Sequence, residues 1–214
     1  MKLTTILPLV ALAATAASAA PTEPTPDPNQ VYVKGVSYNG SGCPISPPSA
    51  QVVLADDKKS FTVLFDKFIA SAGPGIPRTE NRKNCQLTVQ LHIPGGWQYS
   101  IASADFRGWA ELDKDVTGRQ QSIYYFQGDG RTTTTEMSVN GPIAKNYAIR
   151  DEIDFTSQSW SPCGEDRPVN INTSIFVSNT KNPKAGGVLT TDSVDGKIVQ
   201  KYQFQWKKCP QAKA

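Results

Sequence analysis

The sequence predicts an all-β fold: a single antiparallel β-sandwich, Ig-like or jelly-roll-like, held by two disulfides. Three observations predict it. From Val31 onward apolar side chains recur at every second position over much of the chain, the period of a half-buried strand. Turn-forming clusters of Gly, Pro and Asn separate those runs. Four widely spaced cysteines, Cys43, Cys85, Cys163 and Cys209, complete the pattern. About ten short strands with polar outer faces suit two packed sheets, with a closed barrel as the alternative. No internal repeat and no composition break divides the chain, so residues 31–210 are read as one domain.

The start of the chain sets the compartment. Met1 and Lys2 give a positive end, Leu3 to Ala17 carry no charge, and Ala17-Ser18-Ala19 offers small residues at a cleavage site. This is the layout of a secretory signal peptide, residues 1–19. A membrane anchor suits the segment less well. Pro8 interrupts it and Ala and Ser fill its second half, whereas a spanning helix needs about 20 predominantly apolar residues. Cleavage after Ala19 exports the remainder and makes the protein extracellular. Residues 20–30 hold four prolines with polar spacers and read as an extended linker or pro-segment outside the core.

The strands follow in order. Val31–Tyr38 and Gln51–Ala55 are short candidates. Phe61, Val63 and Phe65 share one face. Cys85, Leu87, Val89, Leu91 and Ile93 form the clearest stripe, with Gln86, Thr88, Gln90 and His92 opposite. Pro94-Gly95-Gly96 then turns the chain, and Trp97, Tyr99 and Ile101 resume the alternation. This predicts a hairpin. Further candidates lie at Arg107–Leu112, Ser122–Gln127, Thr132–Val139 and Tyr147–Phe155. Val169 to Val177 places five alternate residues on one face, and Ile198 to Trp206 closes the series.

An even cysteine count in an oxidising compartment reads as disulfides. A zinc site would want close pairs such as C-x-x-C, and the sequence has none. Four cysteines allow three pairings. Cys43–Cys85 with Cys163–Cys209 is favoured because each bond then staples one half of the chain. A loop of either length is worth roughly 4 kcal/mol in the chain-entropy model. Asn39-Gly40-Ser41 and Asn172-Thr173-Ser174 are N-glycosylation acceptors, with Asn172 on the predicted solvent face of its strand.

Several segments together resemble a known family. They are Val33-Lys34-Gly35-Val36-Ser37-Tyr38-Asn39-Gly40-Ser41-Gly42-Cys43-Pro44, Asn84-Cys85-Gln86-Leu87, Phe106-Arg107-Gly108-Trp109-Ala110, Ser161-Pro162-Cys163-Gly164 and the terminal Cys209. The chain resembles the small secreted proteins, common in fungi, that are grouped as domain of unknown function 4360. The resemblance spans nearly all of Val31 to Cys209. It implies a secreted β-rich domain with two disulfides and brings no catalytic residues with it.

Composition restricts the chemistry. The net charge of +3 gives no reason to expect nucleic acid or an anionic membrane as partner. The one histidine, His92, must serve any Ser-His-Asp or Cys-His arrangement, yet it stands mid-strand among neutral neighbours and no G-x-S-x-G elbow occurs. No cofactor motif is present, and a multi-histidine metal site is ruled out by count. Two carboxylate clusters are candidates for glycosidase chemistry: Glu111, Asp113 and Asp115 beside Trp109, and Asp151, Glu152 and Asp154 near Tyr147 and Phe155. Asp151 shares the apolar face of its strand, where burial would raise its pKa toward that of a general acid. A bulge or a basic partner is the plainer account. Asp113 to Gly118 begins like a calcium loop, but Tyr124 stands where a bidentate Glu is needed, so an acidic turn is expected instead. Trp109 and Tyr124 are the candidate surface aromatics for ligand contact. The expectation is a non-catalytic extracellular protein that binds cell-wall polysaccharide or an extracellular protein of a host or competitor. A small carbohydrate-active enzyme and a structural wall protein are the alternatives.

Overall fold

A computed structural model describes residues 24–153, 159–191 and 199–210. The signal segment 1–19, the first part of the Pro-rich linker, Asp154, Phe155 and Ile198 lie outside the described residues. Twelve strands follow one another: β1 Tyr32–Asn39, β2 Ala50–Leu54, β3 Ser60–Phe65, β4 Ile69–Ala72, β5 Arg82–His92, β6 Trp97–Leu112, β7 Thr117–Phe126, β8 Thr133–Asn140, β9 Ile143–Glu152, β10 Val169–Ser178, β11 Gly187–Thr190 and β12 Val199–Lys208. Among the described residues the only helical pieces are two 3-10 turns, Pro28–Gln30 and Arg78–Glu80. Among the described residues no helix is long and apolar enough to cross a membrane.

The strands form two antiparallel sheets. One has five strands in the order β1-β5-β10-β7-β8. The other has seven, β2-β3-β12-β6-β11-β4, with β9 also paired to β6. β6 is long enough to take β12 along Trp97–Arg107 and β11 along Ala110–Leu112, while β9 pairs with Ser103–Leu112. The expected runs at Trp97 and Arg107 are therefore one strand. β4 and β11 escape the alternation reading because four residues give too little period to see.

The inner faces meet as alternation requires. Leu87, Val89 and Leu91 of β5, Ile171 and Ile175 of β10, and Phe61, Tyr99, Phe106 and Tyr202 of the other sheet are fully or almost fully buried. Each such side chain contributes on the order of 1.5–3 kcal/mol by leaving water. The middle of the sandwich is polar, however. Gln200 Nε2 donates to Thr173 Oγ1 (3.0 Å), Ser122 Oγ to the same atom (2.9 Å), and Tyr202 OH to Gln200 Oε1 (2.7 Å). Buried polar groups are tolerated there because they bond to one another.

Two expectations need correction. The Pro94-Gly95-Gly96 turn does not close a hairpin, because β5 and β6 belong to different sheets. Both strands point their apolar faces into the same core, so alternation alone cannot separate a hairpin from a crossing between sheets. The true hairpins are β2–β3 and β7–β8. Nor is the linker wholly outside the domain: Pro26 is buried, and Asp27 Oδ1 accepts from Asn29 N (2.9 Å) at the first 3-10 turn.

Cys43 is bonded to Cys85 and Cys163 to Cys209, with Cα separations of 5.4 and 5.6 Å. The first bond ties the chain after β1 to β5. Around it Asn84 N donates to Ser41 Oγ (3.1 Å), whose hydroxyl donates to Asn84 Oδ1 (3.0 Å). Gly42 is needed beside Cys43 because a Cβ there would lie 2.0 Å from the Phe68 ring.

Candidate functional site

The outer face of the five-stranded sheet is built from the residues that alternate with the core. Three rows cross it. Thr88, Asn170 and Tyr125 form one. Asn39, Gln86, Asn172 and Ile123 form the next, and Asn84, Ser174, Gln121 and Glu136 the third. A fourth row, Arg82–Phe176–Arg119, lies at one end. The side chains bond across strands. Thr88 Oγ1 donates to Asn170 Oδ1 (2.7 Å), Asn172 Nδ2 to Gln86 Oε1 (3.0 Å), and Gln121 Nε2 to Glu136 Oε2 (3.1 Å). An amide has two N–H donors and two acceptor lone pairs, so each pair is fixed in place and still has groups to offer solvent. The cleft at the Arg82–Phe176–Arg119 row encloses about 270 Å3, with Gln121 and Ser174 completing its lining.

A second cavity, about 330 Å3, lies at the end of the sandwich between Gln98, Asp129, Arg131, Trp160, Arg167 and Lys207. Its charges are largely spent on one another. Arg131 grips both oxygens of Asp129, with contacts of 2.8–3.2 Å, and these bonds lower the Asp129 pKa. Lys207 Nζ sits 4.0 Å from the centre of the Trp160 ring, a cation–π contact that takes up one face of the indole.

The residues singled out from the sequence are dispersed. Asp151 does keep the inward register of Tyr147 and Ile149, but it lies half-buried at the margin, where its Oδ2 accepts from Glu136 N of β8 (2.9 Å). Glu152, its neighbour on β9, points to the opposite face and pairs with Arg150. Adjacent strand residues cannot act together on one substrate. Glu111 and Trp109 are on the outer face of the seven-stranded sheet, Trp109 half-buried opposite Asn146. Asp113 and Asp115 occupy the crossing from β6 to β7, and Asp113 Oδ2 accepts from Gly186 N (2.7 Å). Among the described residues no three His, Cys, Asp or Glu side chains converge on one point. Tyr124 is removed as a surface aromatic: it is 3% exposed, stacked edge-on against Tyr202, and burial raises its pKa. Tyr125 holds the outer face instead. The polar inward residues Gln120 and Ser122 disguise which face of β7 is the core.

His92 also differs from expectation. No carboxylate is near it in sequence, but Asp166 is near it in space. His92 Nδ1 lies 3.0 Å from Asp166 Oδ2, Lys34 Nζ is 3.0 Å from the same oxygen, and Ile93 N donates to Asp166 Oδ1 (3.2 Å). Partial burial works against ionisation of Asp166, but the bonds from His92, Lys34 and Ile93 outweigh it and bring the carboxyl down to about 2. The group joins β1, β5 and the segment before β10. The ring of Tyr32 packs on that of His92, with centroids 4.9 Å apart.

A disulfide-bonded β-sandwich with paired amides across one sheet and no shared carboxylate site among its described residues defines a class: a compact extracellular domain. Residues 29–209 match the profile described as domain of unknown function (DUF4360), and the chain belongs to that family. An uncharacterized secreted protein of Arthroderma benhamiae is 46% identical over 184 residues, covering 86% of this chain and 74% of the relative. The protein is secreted. Two solved carbohydrate-binding modules are distantly similar to the chain. TmCBM61 in complex with β-1,4-galactotriose matches 82% of this chain and 90% of its own at 11% identity and a TM-score of 0.29. The family 11 module of Clostridium thermocellum, in complex with a β-1,3-1,4-mixed-linked tetrasaccharide, matches 81% and 86% at 12% identity and a TM-score of 0.23. These likenesses are too slight to carry a ligand across.

Proposed function

We propose that the protein binds an extracellular polysaccharide, a cell-wall component, without cleaving it, through the outer face of the five-stranded sheet. The single observation that carries this reading is the set of cross-strand neutral pairs, the hydroxyl–amide pair Thr88–Asn170 and the amide pair Gln86–Asn172. Sugar hydroxyls are neutral donors and acceptors, and a ligand that meets groups already held in place loses less entropy on binding. The half-buried Tyr125 and the exposed Phe176 stand at the two ends of the rows. Of the candidate carboxylates, by contrast, Asp113 and Asp151 each accept from a backbone N–H, and Glu152 pairs with Arg150.

The test is retention of the secreted protein on insoluble glucan and chitin, with soluble sugars assayed in the supernatant. Retention without product is expected. Release of reducing ends would favour the enzyme alternative. The glycosylation acceptors add a second check. Asn39 and Asn172 share one row with Gln86 between them, so glycans on both would cover the face. Intact-mass measurement showing both fully occupied would overturn the reading.

A further inference from the structure

This inference rests on the polysaccharide reading and names a substrate class for one end of the face. We propose that the Arg82–Phe176–Arg119 cleft receives a uronate unit of an acidic polysaccharide, its carboxylate on the guanidiniums and its ring on Phe176. Both arginines are cross-strand neighbours of Phe176, one on β5 and one on β7. Successive strands place their Cα atoms about 10 Å apart in total, with the Phe176 ring between them.

The two arginines differ. Arg119 is ion-paired with Glu136, which also accepts from Gln121 Nε2 (3.1 Å). That carboxylate anchors two of the cleft's lining side chains from the β8 side. Arg82 is exposed, and among the described residues no carboxylate pairs with it. The cleft therefore holds two guanidiniums against one carboxylate. A planar guanidinium is the side chain best matched to a carboxylate, through parallel N–H donors. Phe176 is 39% exposed and offers an apolar surface to the C–H face of a sugar ring. Ser174 and Gln121 line the same cleft and supply partners for hydroxyls. Its volume, about 270 Å3, lies just below that of ligand pockets, which run from roughly 300 Å3 upward, and so suits one sugar unit with the polymer continuing along the amide rows. A phosphate or an acidic peptide would use the arginines but has no need of the ring together with the hydroxyl-binding groups.

The experiment measures binding of the secreted protein to polygalacturonate, to the same polymer fully methyl-esterified, to polyglutamate and to a neutral glucan. Polygalacturonate is expected to bind at least tenfold more tightly than its ester. R82Q and F176A should each lower that affinity at least fivefold, and R82Q should leave neutral-glucan binding within twofold. Both positions are exposed, and an unchanged melting temperature shows that the variants fold. Equal binding of acid and ester, or indifference to R82Q, overturns the proposal while the neutral-glucan result keeps the parent reading. Polyglutamate bound as tightly as polygalacturonate overturns it in favour of an acidic protein partner. Loss of every saccharide, the neutral glucan included, overturns the parent reading as well.

Discussion

The two sheets of this sandwich differ in the middle of their outer faces, away from the Arg82–Phe176–Arg119 row and its Arg119–Glu136 ion pair. On the five-stranded sheet, neutral side chains bond to one another across strands: Thr88 to Asn170 and Asn172 to Gln86. On the seven-stranded sheet the corresponding positions are charged. Arg150 of β9 meets Glu152 on its own strand and Asp105 of β6 (3.6 Å), and Gln203 of β12 donates to Asp105 (3.1 Å). Exposed ion pairs consume their own charge and contribute only about 0–1 kcal/mol. A bonded amide pair is held in place and still has donors and acceptors to spare. The charges of one face are thus engaged with one another, whereas the bonded side chains of the other keep donors and acceptors free for solvent.

The sharpest limit on that comparison is a backbone position. Gly108 of β6 sits where β9 and the end of β11 converge. A Cβ there would lie 1.9 Å from Thr190 O and 2.7 Å from Tyr147 OH, and Tyr147 OH already donates to Thr190 O (2.7 Å). The nearer obstacle is backbone, and the buried Tyr147 hydroxyl is bonded to it. Gly108→Ala is expected to cost about 3 kcal/mol or more in denaturant unfolding, the upper range for overpacking. Arg150→Ala on the surface of the same sheet should stay within about 0.5 kcal/mol. A tolerated Gly108→Ala would mean that β11 can shift away from β6.

The second prediction sets the faces against each other directly. Gln86→Ala combined with Asn170→Ala should lower retention on neutral glucan about tenfold, equivalent to roughly 1.4 kcal/mol. Arg150→Ala combined with Glu152→Ala should change it less than twofold. The reverse ranking would move the binding surface to the seven-stranded sheet, where Trp109 and Glu111 lie.

Much of the fold was legible because alternation tells which side of a strand is buried: the stripe from Cys85 to Ile93 and the one from Val169 to Val177 are both inward. Strand partners were not legible. Trp97 follows His92 closely, yet the two belong to different sheets, whereas Arg82, Arg119 and Phe176 make one row although they are far apart in the chain. The face of β7 was misread for a related reason. Gln120 and Ser122 are polar and buried, so hydrophobicity could not assign Tyr124 inward and Tyr125 outward. The candidate site is a property of pairing, and pairing is the information a single sequence carries least directly.

Asp166 gives a third prediction, tied to the edge where β1 meets β5. Its carboxyl titrates near 2 in the folded protein against about 3.9 for an unperturbed Asp. A folded pKa below the unfolded one adds stability that is complete above the unfolded value and is lost as pH falls through the folded one. Wild type should therefore lose stability between about pH 4 and pH 2, and Asp166→Asn should flatten that part of the profile. An unchanged slope would show that the carboxylate is not tied to His92, Lys34 and Ile93 in solution.

His92→Ala should have the smallest effect, and its size follows from what remains. Removing the imidazole takes one of three bonds from Asp166. Lys34 and the Ile93 N–H keep the other two, so no carboxylate is left buried without a partner, the situation that makes such losses severe. The His92 side chain is itself 35% exposed, and solvent screening reduces what the pair contributes. The loss of its contact with Tyr32 adds little, because that ring is half exposed. The variant is expected to be secreted normally and to lose no more than about 1 kcal/mol near neutral pH. That difference should shrink as pH falls through about 2, where Asp166 loses its negative charge and the His92 contact has no carboxylate to meet. Polysaccharide retention should be unchanged, since the amide pairs are made without His92. A variant that folds and melts like wild type yet no longer binds would place His92 and Asp166 inside the binding surface and extend that surface to the β1 edge of the sheet.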